Sequence, residues 1–208
     1  ETCRQSERMT DAFTYLSRRD RRHGPGGYAS YETYRRWLRD EFTFRCVYCL
    51  NREEWGRLAC EFDLDHFQPQ ATRPDLVTEY ENLVYACHTC NLRKSAGATF
   101  EPENWLTKEM VRVFPDGRIE GLSPESRAII AKLTLDSPKY RKWRLIWSRN
   151  IELARQHDVE QYKRILSYPN DLPDLATLQP VTNSTPNGVR ESYYALRSRG
   201  ELQEYYLD

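Results

Sequence analysis

Apolar positions recur at helical spacing toward both ends of the chain and at strand spacing in its middle. Met9, Phe13 and Leu16 share one stripe, which predicts a helix over residues 6–22, and the run Gly24-Pro25-Gly26-Gly27 stops it. Ser30 as N-cap, with Tyr34, Trp37 and Leu38 turned inward, predicts a second helix over 30–41. Residues 42–95 read as short strands, turns and a short helix. Within them the alternation of Phe62, Leu64 and His66 predicts a short strand ended by Pro69. Residues 81–95 read as a strand running into a short helix. Residues 111–114 and 118–121 flank Pro115-Asp116-Gly117, a hairpin signal. Ser123 before Pro124 opens a helix near 124–134.

Pro138 opens a long helix to about residue 166. Its core stripe reads as Trp143, Ile146, Trp147, Asn150 and Ala154. Arg141, Arg144 and Arg155 lie opposite, where they follow a phosphate backbone or face water. Residues 167–188 hold four prolines among Asn, Ser, Thr and Asp, which reads as a linker. A last helix over 189–206 carries Tyr193, Tyr194, Leu196, Tyr205 and Tyr206, and needs this domain or a partner to bury against. These elements divide the chain into an N-terminal helical segment (1–41), a central core (42–100), a hairpin and helical extension (101–166), and a Pro-rich linker with a C-terminal helix (167–208). The fold class is α+β.

Composition narrows the picture. With 208 residues, 30% charged and 39% hydrophobic, the chain suits one soluble domain with appendages. No apolar run approaches the roughly 18 residues a membrane span needs, and the N-terminal stretch has no secretory apolar region. The absence of an initiator Met suggests a processed or trimmed start, and a cytoplasmic location is the default reading. Formal net charge is zero, but unevenly spread. Residues 1–40 carry nine Arg against six acids, and residues 138–166 carry eight basic residues against three acids. Basic surface beside an acidic metal site is therefore compatible with this charge.

Six cysteines would suit a secreted disulfide scaffold, but their spacing does not. Cys46 and Cys49 form one Cys-x-x-Cys pair and Cys87 and Cys90 another, while Cys3 and Cys60 stand apart. Two such knuckles can bring four thiolates to one Zn²⁺ and close its coordination, which makes a structural clasp. His88 or Cys60 would replace a ligand only in an irregular geometry. Between the knuckles lies Phe62-Asp63-Leu64-Asp65-His66-Phe67-Gln68-Pro69, then Glu81-Asn82-Leu83, and after the second knuckle Asn91-Leu92-Arg93-Lys94. Taken singly, Asp65 reads as a turn carboxylate, and Asn82 and Asn91 as caps or turn formers.

In order, these pieces spell Cys-x-x-Cys, Asp-His-x-x-Pro, Asn-Leu-x-x-x-Cys-x-x-Cys-Asn-x-x-Lys from Cys46 to Lys94. That ordered pattern resembles the HNH, or ββα-metal, endonuclease family in its four-cysteine form. The resemblance implies a ββα-metal core with a four-cysteine zinc clasp, flanked by N-terminal and C-terminal helices. It implies His66 as general base, Asp65 and Asn91 as ligands of one catalytic Mg²⁺ or Mn²⁺, Asn82 as the residue holding the loop and orienting the base, and Lys94 in support near phosphate. Cys46, Cys49, Cys87 and Cys90 would hold structural Zn²⁺. The chemistry is coherent: an imidazole of pKa near ~6.5 suits a base at neutral pH, and one carboxylate with one amide oxygen leaves a hard cation open to water and phosphate.

By the same resemblance the substrate is nucleic acid, double-stranded DNA first. Small HNH proteins resemble phage-defence or restriction components, and the aromatic tail suggests docking to a partner such as an ATPase or defence complex. Two other readings keep part of the evidence. A zinc ribbon that binds nucleic acid without cutting explains the cysteines but not Asp65, His66, Asn82 and Asn91. A nuclease silent until a partner releases it would use the tail.

Overall fold

The computed structural model describes residues 12–18, 20–55, 61–96 and 99–206. The helices are α1 (Arg35–Glu41), α2 (His88–Lys94), α3 (Pro102–Trp105), α4 (Pro124–Lys132), α5 (Pro138–His157), α6 (Val159–Ile165) and α7 (Tyr193–Ser198). The strands are β1 (Pro25–Gly26), β2 (Phe62–His66), β3 (Leu83–Cys87), β4 (Val111–Val113), β5 (Ile119–Gly121) and β6 (Thr182–Asn183), paired β1–β6, β2–β3 and β4–β5 in two-stranded antiparallel ribbons. The fold is α+β. It divides into two compact units. One comprises Glu1–Arg18, Pro102–Ser167 and Tyr205–Asp208, the other Arg19–Glu101 and Tyr168–Glu204.

In the first unit the expected hairpin forms, with Val111 opposite Gly121 and Val113 opposite Ile119. Gly117 turns it at φ +82°, and a Cβ there would strike the Arg141 carbonyl at 2.3 Å, so the turn needs glycine twice over. Ser123 caps α4 through Ser126, with Pro124 first, as its sequence predicts. The long helix expected from Pro138 to about 166 breaks at Asp158. That residue takes φ −149° and caps α6 by accepting from the Gln161 amide at 2.9 Å.

The stripe on α5 also differs from expectation. Ile146 is 47% exposed and Asn150 faces solvent, whereas Arg144 and Ser148 are buried with Ala154. Arg144 donates to the carbonyls of Gly117 and Leu135, both at 2.7 Å, so its charge sits among backbone dipoles rather than beside phosphate. Arg141 is paired with Asp136 and Arg155 with Glu152. A guanidinium satisfies both carbonyls better than packing alone would, because its planar fork donates in two directions. Arg144→Ala strands two buried acceptors. It is expected to cost about 2–4 kcal/mol and to lower the thermal midpoint by roughly 5–15 °C. An unchanged melting curve would show that these bonds contribute nothing net.

The helix expected over 6–22 falls partly outside the described residues, at 6–11 and 19. Its described part is not α-helical: Ala12 and Phe13 form one 3-10 turn, and residues 14–18 and 20–24 are irregular. In the second unit the reason is visible. The backbone amides of Arg22 and His23 donate to the Glu41 carboxylate at 3.0 and 2.9 Å, so they are unavailable to a helix. The second predicted helix does form, as a 3-10 turn over Tyr31–Tyr34 leading into α1, with Tyr34, Trp37 and Leu38 buried.

At the end of α1, buried Asp40 gathers His23 Nε2 at 2.8 Å, Arg22 Nη2 at 3.0 Å and the Tyr193 amide at 2.8 Å. These bonds fasten the segment before β1 and the start of α7 to α1. Gly188 allows this closeness, since a Cβ there would lie 1.9 Å from the Arg22 carbonyl oxygen. Residues 167–188 are therefore not the linker their prolines suggest. Tyr168, Leu172 and Leu175 are buried, and Thr182–Asn183 pairs with Pro25–Gly26. The last helix is shorter than the expected 189–206: Pro186–Glu191 is a 3-10 turn, and α7 ends at Ser198. Tyr193 packs on Phe44 and Tyr168, with ring centroids 5.5 and 5.1 Å away, so this half-buried tail aromatic leans on its own chain. Among the described residues no helix is long and apolar enough to cross a membrane.

Candidate functional site

β2, β3 and α2 carry the residues the sequence singled out. β2 and β3 pair with Phe62 opposite Cys87, Asp63 opposite Ala86, Asp65 opposite Val84 and His66 opposite Leu83. β3 is buried along its whole length, and α2 begins immediately after Cys87. Strand alternation then places Asp63 and Asp65 on one face of β2, against α2, and His66 on the other.

At one end stands the cysteine cluster. The Cys46–Cys49 turn is held by Cys46 N–H donating to the Asn51 carbonyl at 2.9 Å, Leu50 N–H to the Cys46 carbonyl at 3.0 Å, and Val47 N–H to the Tyr85 carbonyl of β3 at 2.9 Å. Leu50 takes φ +62°, which closes the knuckle. Cys87 ends β3 and Cys90 sits in the first turn of α2. All four sulfurs are buried and lie within 4.8 Å of one another, with Cys49 Sγ 3.7 Å from Cys87 Sγ. A tetrahedral zinc with Zn–S of about 2.3 Å requires sulfurs about 3.8 Å apart, so the cluster could hold such an ion. The neighbouring Cys46, Cys87 and Cys90 sulfurs, with burial, push the Cys49 thiol well up, the crowding that a shared divalent cation relieves. His88 is not part of this cluster. Its ring turns to Asp63. Cys3 and Cys60 lie outside the described residues.

The face between β2 and α2 is a square of four polar side chains. Asn91 Nδ2 donates to Asp63 Oδ2 at 2.9 Å, and Lys94 Nζ donates to Asp65 Oδ1 at 2.8 Å. Asp65 Oδ2 accepts from Tyr48 Oη at 2.6 Å. Lys94, expected near phosphate, is instead 2% exposed, with its ammonium directed at Asp65 and at the His66 carbonyl 2.7 Å away. Burial and the Asp65 charge hold the Tyr48 hydroxyl well above its ordinary pKa, so it donates. Asp65 and Asn91 thus share the β2–α2 face, although the structure pairs each with another residue. Their oxygens are hard donors, the right kind for Mg²⁺ or Mn²⁺, and such a cation would share Asp65 Oδ1 with Lys94 or take it from Lys94.

On the opposite face of β2, His66 is 6% exposed. Its Nε2 lies 2.9 Å from the Val77 carbonyl, and its Nδ1 lies 3.0 Å from Gln70 Nε2. A carbonyl only accepts, so Nε2 carries the proton and Nδ1 presents its lone pair. The Tyr31 ring meets the imidazole edge-on, centroids 4.7 Å apart. Burial lowers the His66 pKa from its ordinary value. Asn82 pins the loop that follows: its Oδ1 accepts from Gln68 N–H at 3.0 Å, and its Nδ2 donates to the carbonyls of Gln68 at 3.1 Å and Leu76 at 3.2 Å.

Asp63, Tyr48, Gln70 and Val77 escaped the motif reading. Asp63 was within reach of it, because alternation sets residues 63 and 65 on one face. Gln70 and Val77 reach His66 only through the folded loop, which no sequence period reports.

No curated protein sequence matches the chain. The model of the HNH endonuclease family does match residues 46–97, the stretch that carries the four cysteines and the β2–β3–α2 arrangement.

Proposed function

We propose that this chain is a metal-dependent endonuclease that hydrolyses phosphodiester bonds of DNA, with His66 as general base and with Asp65 and Asn91 as ligands of one Mg²⁺ or Mn²⁺. The observation that carries the reading is the fixed imidazole. Its Nε2 proton is held by Val77, so the basic lone pair is on Nδ1, and His66 directly follows Asp65 at the end of β2. A base needs one defined nitrogen free to take a proton, and here the tautomer is set before substrate arrives. Gln70 Nε2 meets Nδ1 in the structure, and a water donating to the same lone pair would replace it.

The water so bound gives its proton to Nδ1 and attacks phosphorus in line with the leaving 3′ oxygen. Asn82 keeps the loop after His66 in place, so it orients the base through backbone rather than through the ring. A divalent cation, when bound, supplies positive charge for the phosphoryl oxygens and the departing oxygen. Lys94 supports Asp65, because its buried side chain donates to Oδ1 and fixes the carboxylate in place. The four cysteines hold Zn²⁺ as a structural clasp. It ties the Cys46–Cys49 turn to the start of α2, the helix that carries Asn91 and Lys94.

The assay is cleavage of supercoiled plasmid by zinc-loaded protein. Conversion to nicked or linear DNA is expected with Mg²⁺ or Mn²⁺ and is expected to stop when that ion is omitted. Folded, zinc-loaded protein that binds DNA but leaves it intact under both ions would favour the non-cleaving zinc ribbon instead.

A further inference from the structure

We infer that Asp63 is a positioning residue that turns the Asn91 carboxamide so that its oxygen is offered to the cation, which rests on the nuclease reading above. Asp63 and Asp65 project from the same face of β2, about 6.6 Å apart along the strand. Asn91 and Lys94 project from the same face of α2, three residues apart. The observed pairing is Asp63 with Asn91 and Asp65 with Lys94. A carboxylate accepts and never donates, so the Asn91 NH₂ must face Asp63 and its Oδ1 must turn away. Without that partner the two ends of the amide are nearly equivalent, and only one of them can ligate a cation. Asp63 is itself held: the same Oδ2 lies 2.8 Å from His88 Nδ1, which carries a proton toward it. The side chains of Asp63 and His88 are 27% and 51% exposed, so this pair adds little to stability, and its consequence is orientation. Fixing a ligand's direction through a neighbour is the role outer residues play around metals.

The test is Mn²⁺ binding to the zinc-loaded full chain, followed by loss of the free-ion electron paramagnetic resonance signal, with plasmid cleavage measured beside it. Asp63→Ala is expected to weaken Mn²⁺ binding 10–100-fold and to shift the Mn²⁺ requirement of cleavage by the same factor. At saturating Mn²⁺ the turnover should return to within a few-fold of wild type. Asp63→Asn retains an oxygen that can accept from Asn91 Nδ2, and should keep most of the affinity. His88→Ala changes only an exposed ring on the helix and should weaken binding in the same direction by less, so it repeats the test should Asp63→Ala fail to load zinc. Wild-type binding in Asp63→Ala would overturn the inference. So would an Asp63→Asn loss as deep as that of alanine, which would make Asp63 a charge or a direct ligand. If wild type binds Mn²⁺ without cutting any DNA, the nuclease reading fails while binding in the variants still decides the role of Asp63. If wild type binds no Mn²⁺, both fail.

Discussion

His66→Ala is expected to lower metal-dependent DNA cleavage by roughly 10²–10⁴-fold, the range a positioned general base contributes. Zinc content and circular dichroism should stay as in wild type. The separation is possible because His66 stands at the end of the β2–β3 ribbon opposite to Cys87, which pairs with Phe62, and its polar ring contacts are to the Val77 carbonyl and Gln70, with Tyr31 edge-on. Removing it frees one carbonyl and leaves a small void, a cost of about 1–3 kcal/mol that a folded chain can absorb. Single-turnover cleavage at saturating Mn²⁺ is the measurement to make, since it isolates the chemical step from product release. A variant that cuts at the wild-type rate would remove His66 from the reaction and leave the water to be activated elsewhere.

Cys49→Ser is expected to have the largest effect on folding. Its sulfur lies 3.7 Å from that of Cys87, and the four ligands join a turn before β2 to the β3–α2 junction across 37 intervening residues. The ribbon between them has two strands of five residues each, too little by itself to hold α2 in place. Much of the local stability should therefore come from metal binding. Loss of one thiolate should empty most of the zinc and lower the thermal midpoint by about 10 °C or more, given that 1 kcal/mol is worth roughly 2–4 °C at this size. Cleavage should fall with it, because Asn91 follows Cys90 directly on α2. Full zinc stoichiometry and an unchanged midpoint would show that the clasp does not depend on Cys49.

What the chain determines locally can be read directly from it. The two Cys-x-x-Cys spacings, the Asp65-His66 pair at the end of an alternating strand, the Ser123-Pro124 helix start and the Pro115-Asp116-Gly117 turn are all set by neighbours within a few residues. Local propensity therefore predicts them, and the structure contains each. The residues that tune the site are another matter. Val77 selects the His66 tautomer, Lys94 turns inward to Asp65, and Asp63 takes the Asn91 amide, and each depends on how β2, its loop and α2 meet.

The misread segments have the same cause. Residues 20–24 carry no helix, and a distant carboxylate, Glu41, takes the amides of Arg22 and His23, while the proline-rich 167–188 is pinned down by buried Leu172 and Leu175. Arg144 looks like a surface cation by helical phase, yet two carbonyls from other elements draw it inside. Short-range periodicity fixes which residues share a face. Which partner meets that face is decided only when segments far apart in sequence compete for the same hydrogen bonds and the same buried volume.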